Sequence, residues 1–582
     1  MFISEKSSAA ATAKATAKAI RKRNNLNSVK YFAAAMAGIT VLFVISKWIR
    51  FLYIRYTPRN KSRLLRTSIA ITRASRKILV RKIWGFTSIG QFILFLTYIA
   101  TIFAVTFTNI NNWSTYNNFA KRLGWISTAH IAFITFLALK NTPLAFLTGY
   151  SYESLRILHR LVGYGTILWS MLHAIFYIIA EAQSDSYDKL LEKNQIFGII
   201  AGISMLLIFL TSLLVYKMQY EIWYIIHVLM YLLILITVGM HRPVVSDHTL
   251  YIIFVASGLW FYDRVLRFIK LCYFFFGNFV TLTPLPDGGT RILMRRSSKL
   301  IKPGTHAFLW IPAIRQMETH PFTISSVDDA EGISFVVAAC DGFTKALHTL
   351  AVESPGIQIR ASIDGPYGSV VDFSQYDKVV FIAGGSGGSF TFGVALETMC
   401  EVAKKNAVSA STIVEFIWVV REEDSIGWFS SQLQELNSSP NVTVRLFCTR
   451  NVTNRVFNAS SNGSSRNIFG EKDLESPTIA SPSIEGSDEK SSWKLGDVEK
   501  VTTTSEANLI NNAGDKSMMI QSGRPEILKI IQNVVEECDG SQRVAVVACG
   551  PGSLMDATRL AISKCIKVNG PSLEYHSEEF GW

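Results

Sequence analysis

Seven apolar runs, at 31–54, 84–107, 123–147, 155–181, 196–216, 222–241 and 249–274, fill most of the first half of this chain. Each is about 20 residues or longer, enough for ~30 Å of helix, the depth of a bilayer's hydrocarbon core. In that medium the backbone must hydrogen-bond to itself, so a single segment crosses as a helix. The N-terminal half therefore reads as a multi-pass α-helical membrane domain. Beyond residue 277 such runs stop, and the mean hydropathy of +0.25 over 582 residues averages a membrane half with a polar one. A wholly soluble protein and a purely membrane-embedded one are both excluded.

The formal net charge of +14 is placed in a telling way. Ten basic residues and no acidic one lie between Arg55 and Lys82. A basic block between two apolar spans reads as a cytosolic loop held inside by the positive-inside rule, so nucleic acid is not expected as a partner. The N-terminal 30 residues are polar and Ala/Lys-rich, a poor secretory signal, and the first span is expected to stay as a membrane anchor. Cys272, Cys340, Cys400, Cys448, Cys538, Cys549 and Cys565 show no C-x-x-C spacing, so neither a disulfide framework nor a cysteine metal site is expected.

Two pairs of histidines stand inside the apolar spans. His159 and His173 are 14 residues apart, as are His227 and His241. Fourteen residues of α-helix fall only ~40° short of four turns and rise ~21 Å, so each helix presents two imidazoles on one face, one towards each side of the membrane. If both helices run from inside to outside, His159 faces His227 and His173 faces His241. Two facing pairs at that separation would hold two stacked six-coordinate haems. Zinc needs four ligands close together, which these pairs cannot give one ion. His130 has no partner at this spacing and reads as structural. With both axial positions filled by protein, such a membrane half conducts electrons and does not cleave bonds.

From 277 to 372, short alternating runs between Pro and Gly turns suggest a small antiparallel barrel. Its candidate binding residues are His320, Pro321, Phe322, Thr323 and Ser325, Gly342 and Thr344 at a helix start, and Gly365 and Tyr367 in a GPYG turn. Short polar side chains and free amides at a helix start suit a pyrophosphate. From 377 the grammar is strand, Gly-rich turn, helix, that of a doubly wound sheet. Gly384, Gly385, Ser386, Gly387, Gly388, Ser389 and Phe390 form the turn after its first strand, the context a dinucleotide site requires. Arg421 ends the next strand, where a 2′-phosphate would sit, which favours NADPH over NADH. Cys549, Gly550 and Pro551 end a later strand at the ligand-binding edge. The C-terminal EEFGW places Phe580 and Trp582 where an aromatic could cover the flavin and yield to nicotinamide. Residues about 451–525 are Ser/Asn/Glu-rich and read as a disordered insertion.

As an ordered set, the paired histidines, HPFTISS, GPYG, GGSGGSF, WVVR, CGPG and the terminal EEFGW resemble the fungal ferric reductase family, relatives of the NADPH oxidases. The resemblance covers about 84–450 and 526–582. It implies a six-helix haem core at 84–276 preceded by an extra helix and basic loop within 1–83. It also implies a cytosolic ferredoxin-reductase-like module, made of an FAD barrel at 277–372 and an α/β NADPH domain at 373–582. By the family pattern His159, His173, His227 and His241 are the axial ligands of two b-type haems. His320, Pro321, Phe322 and Thr323 contact FAD, while Gly384 to Phe390, Arg421, Cys549 and Gly550 line the NADPH site. A counterpart of the far-side N-terminal domain of the larger members is not expected. The implied activity is transmembrane electron transfer from NADPH to ferric or cupric chelates, with superoxide production from dioxygen as the alternative. The expected setting is the plasma membrane, with endoplasmic reticulum or vacuole as alternatives. Partner subunits are not indicated. At the outer mouth, the loop 182–195 carries Asp185, Asp188 and Glu192 among two lysines, and Arg242 follows His241, a polar rim suited to a solvated chelate.

Overall fold

The computed structural model describes residues 2–56, 63–83, 85–110, 115–149, 152–241, 247–295, 298, 300–405, 412–450, 456–457 and 518–578. The chain divides into two compact units: residues 1–57, 90–273 and 367–369, and residues 58–89, 274–366 and 370–582.

The first unit is helical. Helix α1 spans Phe2–Tyr56, and α2 (Arg63–Leu79) belongs to the second unit. Then come α3 (Ile89–Phe107), α4 (Tyr116–Ala138), α5 (Pro143–Thr148), α6 (Tyr152–Gln183), α7 (Lys193–Leu214), α8 (Tyr220–His241) and α9 (His248–Phe275). Among the described residues five segments are long and apolar enough to cross a membrane: Thr12–Tyr53, Ile89–Phe107, Leu155–Gln183, Lys193–Leu214 and Tyr220–His241. The other two expected spans correspond to α4 and α9, which carry charges. Those charges are placed. Arg122 on α4 is buried and donates to Asn25 Oδ1 at 2.7 Å, and to the carbonyls of Val105 at 2.9 Å, Thr108 at 2.7 Å and Asn109 at 3.1 Å. It thus satisfies carbonyls left open at the end of α3 and ties α1 to α4. Asp263 on α9 is buried and accepts from the backbone N–H and side-chain Nδ2 of Asn141, at 2.9 and 3.0 Å, fixing the turn between α4 and α5.

Three expectations shift here. The polar N-terminus is helical from Phe2, and Val29, Phe32 and Met36 of α1 are buried in one cluster with Tyr98, Ile102 and Ile126. The span read as 123–147 starts earlier and ends at Ala138. A turn then carries the chain to Pro143, which suits the first position of a helix but not its interior. The basic loop is also not structureless. Helix α2 lies along the second unit, where Arg73 donates to the carbonyls of Val568 (3.2 Å) and Gly540 (3.1 Å) and Arg76 to that of Leu573 (3.0 Å).

The second unit holds two sheets. The first contains β1 (Phe279–Leu285), β2 (Gly289–Met294), β3 (His306–Trp310), β4 (His320–Asp328), β5 (Gly332–Ala338), β6 (Gln358–Arg360) and β7 (Ser362–Tyr367), with α10 (Phe343–Glu353) between β5 and β6. Its order is β6-β1-β2-β5-β4-β3-β7, antiparallel from β6 through to β3. Because β6 and β7 lie at opposite ends of that order yet are separated by Ala361 alone, the sheet must curl into a barrel.

The second sheet alternates with helices: β8 (Lys378–Gly384), α11 (Gly388–Lys405), β9 (Ile413–Val420), α12 (Ser430–Ser438), β10 (Val442–Cys448), β11 (Val456–Phe457), β12 (Met518–Ser522), α13 (Ile527–Glu536), β13 (Arg543–Cys549), α14 (Gly552–Cys565) and β14 (Ser572–Glu578). Its order, β11-β12-β10-β9-β8-β13-β14, is parallel except for β11. Side chains of β8 alternate between its two faces. Val379, Phe381 and Ala383 enter one core, Val380 and Ile382 the other, as a strand covered on both sides requires. The stretch 451–525 needs correction at both ends. β11 and β12 are strands of this sheet, and apolar Met518 and Ile520 are buried on it, so its edges are folded. Residues 458–517 lie outside the described residues.

Candidate redox sites

In the first unit α4 lies along α6 and α7 along α8, and the long uninterrupted α6 and α8 bring the histidines together as pairs. The ring centroids of His159 and His227 are 6.4 Å apart, and those of His173 and His241 are 6.0 Å apart. A metal–imidazole bond is about 2 Å, so two imidazoles sharing one metal place their centroids about 6 Å apart. Both pairs fit. The second ring nitrogens point the same way. Nδ1–H of His159 donates to the Ile134 carbonyl at 3.1 Å, that of His173 to Ala120 at 2.7 Å, and that of His241 to Asn194 at 2.8 Å. Such a bond fixes the tautomer that leaves Nε2 for a metal. The buried Nδ1 of His227 has no partner among the described residues, so within them the two pairs are held unequally.

Two glycines that sequence reasoning passed over make room for the His173–His241 pair. A Cβ on Gly124 would lie 3.0 Å from Cε1 of His173, and one on Gly198 would lie 2.6 Å from the ring of His241. No spacing rule marks them, because the neighbour each must clear is on another helix. His130 is buried with Nδ1 bonded to the Ile126 carbonyl of its own helix at 2.7 Å, and its ring lies 4.7 Å from that of Phe32.

In the barrel, the HPFT and GFTK strings meet. His320, at the start of β4, stacks on Phe343 of α10 at 4.3 Å, and Phe322 stacks on the same ring at 6.1 Å. His320 Nε2 lies 3.2 Å from Glu318 Oε2. Thr323 is buried beside Pro321 and Phe322 on the same strand. Ser325 faces inward, its hydroxyl donating to the Ser334 carbonyl at 3.0 Å. Gly342 caps α10, and the Thr344 hydroxyl accepts from the Cys340 amide at 2.9 Å. Gly365 passes so close to β3 that a Cβ there would lie 2.8 Å from that of Ala307, and Tyr367 ends β7 buried.

In the parallel sheet, strands after β8 are added on one side of it and β13 and β14 on the other, so the switch point lies between β8 and β13. Open α/β sheets bind ligands at that crevice, at the carboxyl ends. Gly384 to Gly388 and Cys549 to Pro551 occupy those ends. They touch: a Cβ on Gly384 would lie 2.7 Å from Pro551 Cδ, and one on Gly387 2.3 Å from the Cys549 carbonyl oxygen. Trp418 on β9 donates to the Gly385 carbonyl at 3.0 Å and holds the turn from below. Ser386 lies within this turn, whereas Ser389 donates to the Val336 carbonyl at 2.9 Å and Phe390 is buried in the core.

Arg421 follows β9, exposed at the same edge. A second arginine, Arg450, follows β10 beside it and pairs with Glu422 at 3.7 Å. The Cys448 thiol donates to the carbonyls of Arg450 at 2.8 Å and Arg421 at 3.3 Å, tying the two strand ends together. Burial pushes this thiol above its ordinary range, which suits a donor and not a nucleophile. Sequence spacing could not find Arg450, because only parallel pairing of β9 with β10 sets it next to Arg421. Phe580, Trp582 and Arg242 lie outside the described residues.

Comparison with known proteins gives three family matches in chain order: a ferric reductase-like transmembrane component over residues 123–238, an FAD-binding domain over 277–371 and a ferric reductase NAD-binding domain over 376–563. The first holds three of the paired histidines and stops three residues short of His241. Among relatives, the chain is 25% identical over 473 residues to ferric/cupric reductase transmembrane component 1 of Candida albicans, covering 80% of this chain and 57% of that one. It is 25% identical over 479 residues to ferric reductase transmembrane component 5 of Saccharomyces cerevisiae, covering 79% and 61%. The match thus spans about three fifths of the length of these two relatives. With ferric/cupric reductase transmembrane component 2 of Schizosaccharomyces pombe the chain shares 22% over 490 residues, covering 72% and 83%.

Proposed function

We infer that this chain, which belongs with the fungal ferric reductase transmembrane components, is an NADPH-dependent reductase that passes electrons across a membrane to ferric or cupric chelates. The observation that carries the reading is the pair of facing imidazole pairs, each with the spacing of a shared metal, in one chain with a flavin domain and a nicotinamide domain. When bound, FAD and two b-type haems supply the change from two-electron to one-electron chemistry and the path across the bilayer.

The chain's own residues set what that path can do. His159 with His227, and His173 with His241, would each hold one haem iron between them, and the chemistry it would supply there is electron transfer to an acceptor that does not bind the metal. Gly384 to Gly388 and Cys549 to Pro551 let the cofactor backbone approach the sheet, and α11 presents its positive end there. On the barrel, His320 to Thr323 with Gly342 form the flavin-facing surface. The basic stretch before α3 favours placing the nucleotide module in the cytosol. A relative named as a cell surface ferric reductase supports the plasma membrane as the setting.

Arg421 is the specificity residue for the 2′-phosphate. A charge-assisted contact of that kind contributes ~1.5–3 kcal/mol, so Arg421→Ala should raise KM for NADPH roughly tenfold or more and leave NADH nearly unchanged. Steady-state kinetics with both cofactors check this, and equal losses would make Arg421 a structural residue.

Chelate and dioxygen are separated by oxygen itself. NADPH-driven reduction of ferric chelate should persist anaerobically and resist superoxide dismutase, since direct transfer needs no oxygen carrier. Iron reduction that vanishes without oxygen, with superoxide accumulating in air, would replace this reading by the oxidase one.

A further inference from the structure

The end of the helical unit that carries His173 and His241 gathers more positive charge than the sequence pattern reveals. Lys121 is half-buried on α4, directly after Ala120, whose carbonyl holds His173. Arg21 of α1 is brought there by donating to Asn118 Oδ1 at 2.9 Å. Lys121 lies within electrostatic reach of Lys18, Arg21 and Lys189, and also of His173. Among the described residues the one carboxylate within the same reach is Glu181, which is buried and already paired with Lys189 at 2.9 Å. Glu192 lies within electrostatic reach of Tyr177. Among the described residues Lys121 has no carboxylate at ion-pair distance. Four cations therefore share one carboxylate, which is paired with Lys189, and Lys121 is the least exposed lysine of the group. A cation taken partly out of water is costly until an anion offsets it, and among the described residues the carboxylate in reach is already paired with Lys189.

We infer that Lys121, flanked by Arg21 and Lys189, forms a carboxylate-binding site at the His173 end of the helical unit. The chemistry suits two sources, a carboxylate of a metal chelate waiting to be reduced or a propionate of the porphyrin held by His173 and His241. A lysine ammonium and an arginine fork converging on one oxyanion give the charge-assisted bonds that such a group favours. The site deepens the reductase reading and rests on it for the identity of the ligand, but not for the existence of the site.

The test uses the full chain in lipid nanodiscs, oxidised and without NADPH, so that it reads binding whether or not the reductase assignment holds. Gallium(III) citrate, which cannot be reduced under these conditions, is titrated calorimetrically into the wild type, Lys121→Gln, Lys121→Arg and, as a second neutralising change, Arg21→Gln. Haem content and the Soret band are recorded for each. Binding that weakens roughly tenfold in Lys121→Gln and Arg21→Gln and returns in Lys121→Arg, with unchanged haem spectra, assigns the site to the chelate. A shifted or diminished Soret band in both neutral variants, restored by Lys121→Arg, with gallium citrate titrations alike in all, assigns it to the porphyrin propionate. Titrations and haem spectra that match the wild type in both neutral variants overturn the proposal.

Discussion

Replacing His173 with alanine is expected to remove one low-spin haem signal and to cut NADPH-driven chelate reduction by at least ~100-fold, because changes in the groups behind a ligand alone cost about 10–100-fold. His227→Ala should do the same, as expected of two pairs that act in series on the proposed path. NADPH binding should be untouched in both, as the nucleotide turns lie in the other unit. Reduced-minus-oxidised spectra beside a cofactor-binding titration check this. A double variant at His173 and His241 that retains a full haem complement would remove the ligand assignment altogether. The unpartnered Nδ1 of His227 adds a finer expectation, that the wild type shows two distinguishable low-spin signals and not one doubled signal.

Gly387→Ala should be nearly as severe at the other end of the path. The added Cβ would lie 2.3 Å from the Cys549 carbonyl oxygen and 2.6 Å from its carbon. Both obstacles are backbone, so no rotamer relieves the contact, and the turns after β8 and β13 must separate. NADPH affinity is expected to fall by about 100-fold or more, the equivalent of roughly 3 kcal/mol, while both haem signals persist. Gly385 provides the contrast. It has φ of 54°, but a Cβ added there would meet nothing within 4 Å, so asparagine, which tolerates that backbone, should bind NADPH nearly as well. Equal loss in both variants would mean that turn flexibility, and not the approach to Cys549, governs the site.

Much of this architecture was legible because its signals are periodic. The 14-residue histidine spacing survives into the structure as facing pairs, since α6 and α8 run unbroken past both members. Strand, glycine turn and helix around 378–405 follow from alternation and the known needs of a phosphate. What sequence could not supply was anything that depends on a neighbour from another element. Gly124 and Gly198 matter through histidines on other helices, and Arg450 through a parallel strand pairing. Ser325 and Ser389 illustrate the converse, motif residues whose hydroxyls are committed to backbone carbonyls inside the fold. Charge misled once. The run before α3 reads as a plain basic loop, yet Arg73 and Arg76 use their length to bond carbonyls at the β14 side of the parallel sheet.

The position of β11 and β12 at one edge of that sheet bears on how the chain tolerates change in length. They are three and two places from β9, and the crevice between β8 and β13 lies farther still along the order. Sixty residues separate Phe457 from Met518, yet the two strands they end and begin are paired with each other. A change in length between these strands therefore falls far along the sheet from the crevice between β8 and β13, whereas an extra residue beside Ala361 would fall where one residue alone joins β6 to β7.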